Sequence, residues 1–164
     1  NPPEGQIEFI EIINTADSAV ALSLPVGSKS GVWEISGLGE AALETIKIPA
    51  GGLLLMLPDT SILDLDAYAS TLAENVVLQK YSGKISNRGE QILVKEPYAF
   101  VEDLTKPNGI DWCYRWSDAV LYSDDGLWSE EADGMGMSLH RADFSMPGSD
   151  PAAWEANLPT PGEK

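Results

Sequence analysis

Apolar positions along this chain come in short runs separated by turn-forming residues. Ile7 to Ile13 (IEFIEII) is rich in β-branched and aromatic residues and stops at Asn14. Ala19 to Leu22 is a second short run, and the "PVGSKSG" after it reads as a loop. Val32 to Ile35 (VWEI) comes next, followed by a turn at Gly37 and Gly39. Glu44 to Ile48 alternates charged and apolar residues. Pro49-Ala50-Gly51-Gly52 then turns the chain into Leu53 to Leu57, a continuous apolar run that suits a strand covered on both faces. Val76 to Leu78, Gln91 to Val94, Ala99 to Asp103, Ile110 to Arg115 and Met137 to Arg141 complete the strand-like series.

The punctuation between these runs is equally informative. Lys106-Pro107-Asn108-Gly109 contains Asn-Gly, a strong hairpin signal because that turn needs two residues tolerant of positive φ. Ser86-Asn87-Arg88-Gly89 sits between Val76–Leu78 and Gln91–Val94. Asn87 and Gly89 can adopt turn geometries costly for other residues, and Glu90 can reach back to backbone N–H groups. The turn is expected to fix the register of those two strands, since a one-residue slip reverses every buried face. Ser61 to Ala73 (SILDLDAYASTLA) is the one predicted helix, with Ile62, Leu65, Ala69 and Leu72 near a 3.6 period. Ser117 to Gly136 is polar, acidic and without periodicity, and is read as a long loop. About ten short strands with frequent turns predict an all-β β-sandwich with one short helix and a long acidic loop.

A length of 164 residues with 43% hydrophobic content fits one domain with a sizeable core. Roughly 70% of the unfolded chain's surface is buried on folding at this size. The ordered core is expected over about 7–158, with "NPPEGQ" and "PTPGEK" as frayed ends or linkers. Formal net charge is −16, which keeps the surface hydrated and favours cations or cationic partners. Nucleic acid is not an expected partner, because the ten basic residues are scattered and form no stripe to displace counterions. Cys113 is the only cysteine, so no intrachain disulfide forms. No apolar run approaches the length of a membrane span. The N-terminus lacks a basic region followed by an apolar stretch, so an export signal would lie upstream or have been removed.

Few residues suggest chemistry. His140 is the only histidine, and in "SLHRAD" it reads as a surface strand residue. Cys113 lies between aromatics in "DWCYRW", where a small buried thiol is the natural reading. Gly37-Leu38-Gly39-Glu40-Ala41-Ala42 matches a dinucleotide fingerprint but lacks the following helix and second parallel strand, so it is read as a turn. Asp118, Asp124, Asp125, Glu130, Glu131 and Asp133 cluster in the acidic stretch. Hard oxygen ligands of this kind can hold Ca²⁺, and Asp124, Asp125 and Asp133 are the metal candidates; no EF-hand pattern is present. No other cofactor is implied. Trp112, Tyr114, Trp116, Tyr122 and Trp128 bunch together. Core packing accounts for most of these rings, and Trp116 and Trp128 are the binding candidates, since exposed rings stack on sugars. Carboxylate pairs could in principle serve glycoside hydrolysis, but the sequence ranks none of them.

Several segments, in order, resemble bacterial lamin-tail domains. "EFIEIINTADSAVALS" (Glu8 to Ser23) is similar to that family's strand–turn opening, and "GVWEISG" (Gly31 to Gly37) to its next strand. "IPAGGLLLML" (Ile48 to Leu57) resembles its turn and apolar strand, and "YSGKISNRGEQILV" (Tyr81 to Val94) its G-x-L-S-N-x-G-E-x-I-x-L segment. "ADGMGMSLHRAD" and "SDPAAWEANLPTPGEK" resemble its closing signatures. The resemblance spans nearly the whole of 1–164. It implies an immunoglobulin-like β-sandwich and a non-catalytic role in interaction or targeting. It also implies a secreted, periplasmic or cell-surface multidomain setting. Expected partners are a protein or a surface polysaccharide. The family's first strand is expected upstream of Asn1, which would leave an open edge and favour an edge-strand dimer. Leu24 to Ser30 departs from the family pattern as an insertion. The alternatives from other classes are a carbohydrate-binding accessory domain and a hydrolase using acidic-stretch carboxylates.

Overall fold

The computed structural model describes residues 8–60 and 68–163. They form twelve strands in all, and the chain is all-β in character. One three-stranded sheet has the order β1 (Ile10–Ile13), β7 (Leu53–Pro58), β8 (Val76–Tyr81). The other has the order β10 (Ile110–Ser123), β9 (Gly89–Glu102), β5 (Glu34–Ser36). Two-stranded pairs complete the fold: β2 (Val20–Ala21) with β6 (Lys47–Ile48), β3 (Ser23–Val26) with β4 (Lys29–Val32), and β11 (Ser138–Arg141) with β12 (Trp154–Asn157).

The apolar run Leu53–Leu57 becomes the centre of the first sheet because both faces of β7 are covered. Leu54 and Met56 join the main core with Leu22, Ile35, Leu38, Leu43, Ile48 and Tyr81. Ile10 and Ile12 of β1 pack on this cluster from one sheet, and Ile92 of β9 from the other. The two three-stranded sheets therefore share one interior. On the opposite face of β7, Leu55 lies near Gly162, whose added Cβ would also run into Leu72. Glu11 Oε1 accepts a hydrogen bond from the Gly162 N–H at 2.6 Å, and the Tyr68 hydroxyl donates to the Pro161 carbonyl at 3.3 Å. The expectation of a frayed "PTPGEK" is thus corrected at Pro161 and Gly162, which cap the first sheet, since β7 is apolar on both sides; Lys164 lies outside the described residues. "NPPEGQ" lies outside the described residues.

Buried Asn14 explains why β1 ends where it does. Its Nδ2 lies within bonding distance of the carbonyls of Ser18 (2.9 Å), Ile48 (3.1 Å) and Pro49 (2.9 Å), and its Oδ1 accepts from Ala16 N–H. One amide thus replaces the ladder for the turn into β2 and ties it to the end of β6. A buried polar group of this kind is tolerated only when so fully bonded.

Several expectations shift. The stretch "PVGSKSG" is a hairpin rather than a loop. Val26 pairs with Lys29 across Gly27-Ser28, with Gly27 at φ 59. A glycine first in a two-residue loop is the sequence signal for this turn. Gln91–Val94 and Ala99–Asp103, all but its last residue, are parts of one 14-residue strand, β9, that continues through Pro97 with a register shift beside it. Ser117–Ser123, read as the start of the acidic loop, belongs to β10. Strands β8 and β9 do not pair: β8 runs parallel to β7, while β9 joins the other sheet. Segment 82–88 therefore crosses between sheets instead of setting a hairpin register. The predicted helix falls largely outside the described residues; at its described end, N–H groups of Thr71 and Leu72 bond to the carbonyls of Tyr68 and Ala69. Finally, β12 was not expected, because "WEAN" is short and its alternation is weak.

Candidate binding surface

The most exposed apolar side chains in strands lie on the long β9–β10 hairpin. It closes at 103–109, where Asp103 N–H bonds to the Gly109 carbonyl at 2.9 Å and Gly109 N–H to Lys106 at 3.0 Å. The Asn-Gly signal found the hairpin, but only Gly109 takes positive φ (68°). Directly opposed residues share a face, so Trp112 meets Phe100, with ring centroids 5.5 Å apart and nearly edge-on. The β3–β4 hairpin covers this pair: a Cβ on Gly31 would lie 2.9 Å from Pro97 and 3.0 Å from the Trp112 ring. Further along, Lys95 sits over the Tyr114 ring at 5.4 Å and pairs with Glu34 of β5. Beyond these covered rings, Trp116 is 66% exposed, and Tyr98, Val101 and Leu104 are exposed as well.

The two binding candidates therefore part company. Trp116 is open to solvent, opposite Lys95. Trp128 is half-buried against Trp154, with centroids 6.3 Å apart. Trp154 in turn lies under the Arg141 guanidinium and donates through its indole N–H to the Gly148 carbonyl at 2.8 Å. Arg141 bonds Asp118 Oδ2 at 2.7 Å and the Met146 carbonyl at 2.6 Å. This arginine locks the β11–β12 pair against the distal half of β10, so Asp118 serves as a structural partner.

The metal candidates are spread along the connection out of β10. Asp125 accepts a hydrogen bond from the Ser123 hydroxyl at 2.8 Å, Asp124 precedes it in an exposed bend, and Asp133 follows a single 3-10 turn over Glu130–Ala132. Among the described residues, no group of three or more His, Cys, Asp or Glu is arranged to hold a metal ion.

His140 is half-buried on β11 and shares a 2.8 Å hydrogen bond with the Ser138 hydroxyl on the same strand. Glu155 stands across from it in register. The hydrogen bonds of the described residues give the imidazole a hydroxyl partner and no carboxylate. Cys113 is half-buried on β10 rather than sealed in the core as its aromatic neighbours suggested, because β10 is an outer strand. The guanidinium of Arg115 is taken up by Glu96 at 2.7 Å.

A polar cluster also organises the 82–89 crossing. Glu8 accepts from the Tyr81 hydroxyl (2.7 Å) and from Ile85 N–H (3.1 Å). Glu90 accepts from Ser86 N–H at 3.0 Å, as its position after the turn suggested, and the Tyr122 hydroxyl donates to the Ser86 carbonyl. Burial and, second, the bond to Glu8 push the Tyr81 phenol well above its ordinary range; burial and then the charge of Glu90 do the same for Tyr122. Both phenols stay protonated donors, which suits a brace between the sheets. The Gly37–Ala42 turn lies on the same crossing: a Cβ on Gly39 would collide with the Ser82 carbonyl, and one on Gly83 with that of Leu38.

No family model, curated protein or solved structure matches this chain. Among the described residues, no helix is long and apolar enough to cross a membrane.

Proposed function

We propose that this chain is a binding or anchoring module, without catalysis of its own, in an exported or cell-surface bacterial multidomain protein. In this reading its strands form an immunoglobulin-like sandwich of the lamin-tail kind. Two three-stranded sheets around one interior support that architecture. The observation that carries the role is the set of large apolar side chains left in water on the β9–β10 hairpin, with Tyr98, Val101, Leu104 and Trp116 foremost. Exposed aromatic anchors on a rigid ribbon are a common basis of protein recognition. The test is surface capture of purified, fluorescently labelled chain on bacterial cell-wall preparations. Binding that is saturable and lost in Tyr98→Ala and Trp116→Ala supports the role; undiminished binding in both variants overturns the assignment of this surface.

The open Trp116 ring favours one second reading, a carbohydrate-binding accessory domain. A glycan array separates the two. Saturable sugar binding abolished by Trp116→Ala supports the carbohydrate reading. Protease-sensitive binding to the cell-wall preparation with a blank array supports a protein partner.

A further inference from the structure

Among the described residues β10 pairs on one side only, with β9, and its other edge carries no strand. The distal half of that edge is occupied. Arg141 is bonded to Asp118, and the backbone of Gly148 lies so close that a Cβ there would sit 2.7 Å from the Ala119 carbonyl. The register shift between Trp116 and Asp118 marks where this cover begins. What remains open is the segment Ile110 to Trp116, "IDWCYRW". An unpaired edge presents a row of unmet N–H and C=O groups and invites another strand.

The segment is self-complementary. Centred on Cys113, an antiparallel pairing with a second copy sets Asp111 across from Arg115 of that copy, and Arg115 across from its Asp111. Each group already has a partner on its own chain, Arg115 with Glu96 at 2.7 Å and Asp111 with Lys106 at 3.5 Å, so the pairing adds a second opposite charge to each. Trp112 then faces Tyr114, and Ile110 faces Trp116, on the other side of the ribbon. Opposed charges and opposed rings are the pairs that stabilise antiparallel neighbours. A two-fold axis requires such a patch, in which residue i meets j while j meets i. Shifting the pairing by two residues puts Arg115 opposite Cys113 or Asp111 opposite Cys113, and the charge match is lost.

Electrostatics permit the approach. Each copy carries −16, but residues 95–116 hold three bases (Lys95, Lys106, Arg115) against four acids (Glu96, Glu102, Asp103, Asp111), a net of −1. Most of the acid excess therefore lies outside the pairing ribbon.

We propose that the protein forms a two-fold dimer by antiparallel pairing of β10 with β10 of a second copy over Ile110–Trp116, centred on Cys113. The proposal does not depend on what the module anchors to. Sedimentation velocity of the whole chain should show a concentration-dependent dimer. Asp111→Arg and Arg115→Asp each convert two attractive cross-strand pairs into repulsive ones and should weaken the dimer by about tenfold or more. The double swap restores opposite charges and should recover association. In the unaltered protein, diamide, taking up two electrons and two protons from two thiols, should join Cys113 to Cys113 of the second copy faster as protein concentration rises. A chain monomeric at millimolar concentration, a dimer indifferent to both single changes, or single and double variants equally impaired would each overturn the proposal. Circular dichroism of the exposed-site variants separates loss of pairing from loss of fold, and the thiol cross-link reads the pairing without any substitution.

Discussion

In β7 the five side chains Leu53 to Leu57 are all buried, none more than 5% exposed. In the 28 residues of β9 and β10, by contrast, only Pro97 is buried. Both regions are strand, and both are rich in large apolar residues. What differs is position. β7 lies between β1 and β8 and is covered on both faces, whereas β10 is outermost and β9 is covered where the β3–β4 hairpin crosses it and where Ile92 meets the core. Burial on both faces converts apolar area into stability. An edge ribbon leaves the same residue types partly in water, where they contribute less to the fold and remain available to a partner.

The contrast is sharpened first in β7. Leu54→Ala should cost about 2–5 kcal/mol, read by urea denaturation, because the side chain has no solvent exposure and β7 cannot collapse around the void. Asn14→Ala should follow at about 1–3 kcal/mol, since it strands the carbonyls of Ile48 and Pro49 and the Ala16 N–H at the seam between β1 and β6. Gly89→Val should destabilise by more than about 1 kcal/mol. Gly89 takes φ 116, and a Cβ there would stand 2.5 Å from the Tyr122 carbonyl. Denaturation curves unchanged by this substitution would break the claim that the start of β9 is rigidly set.

A smaller, pH-dependent effect belongs to Glu11 beneath the C-terminal cap. Burial holds its carboxyl above the usual range, partly offset by the Gly162 N–H. The folded state therefore binds the proton more tightly than the unfolded chain. The linked stability is fully present below the ordinary carboxylate pKa and is lost as pH rises through the raised folded value. Glu11→Gln keeps an acceptor for Gly162 and removes the ionisation, so its melting temperature should fall less than that of the parent between about pH 4 and pH 7. At the far end of the scale, Trp116→Ala should change stability by no more than about 0.5 kcal/mol, because most of the ring is already in water.

Local chemistry was legible in the sequence wherever one residue type has one conformational use. Asn-Gly marked the β9–β10 hairpin, the Leu53–Leu57 run marked the doubly covered strand, and Gly37 and Gly39 marked a turn instead of a nucleotide loop. Glu90 bonds back to the 86–89 turn as its placement suggested. Partner choice was not legible. Apolar alternation says that Val76–Leu78 and Gln91–Val94 are strands, but not that they join different sheets, because pairing is decided by distant contacts. The extent of β10 was hidden by Ser117, Asp118 and Ser123, polar residues that an outer strand tolerates and a central one would not. Of the two proposed binding rings, only the fold could tell exposed Trp116 from Trp128, which is half-buried against Trp154 of β12.

Hydrogen–deuterium exchange at low protein concentration, resolved by peptide, tests the division of labour between the two regions most directly. The amides of Leu54–Leu57 should exchange only through global unfolding, with those of Ile110–Trp116 exchanging by local opening well before them. Equal protection in the two segments, or slower exchange in β10 than in β7, would contradict it.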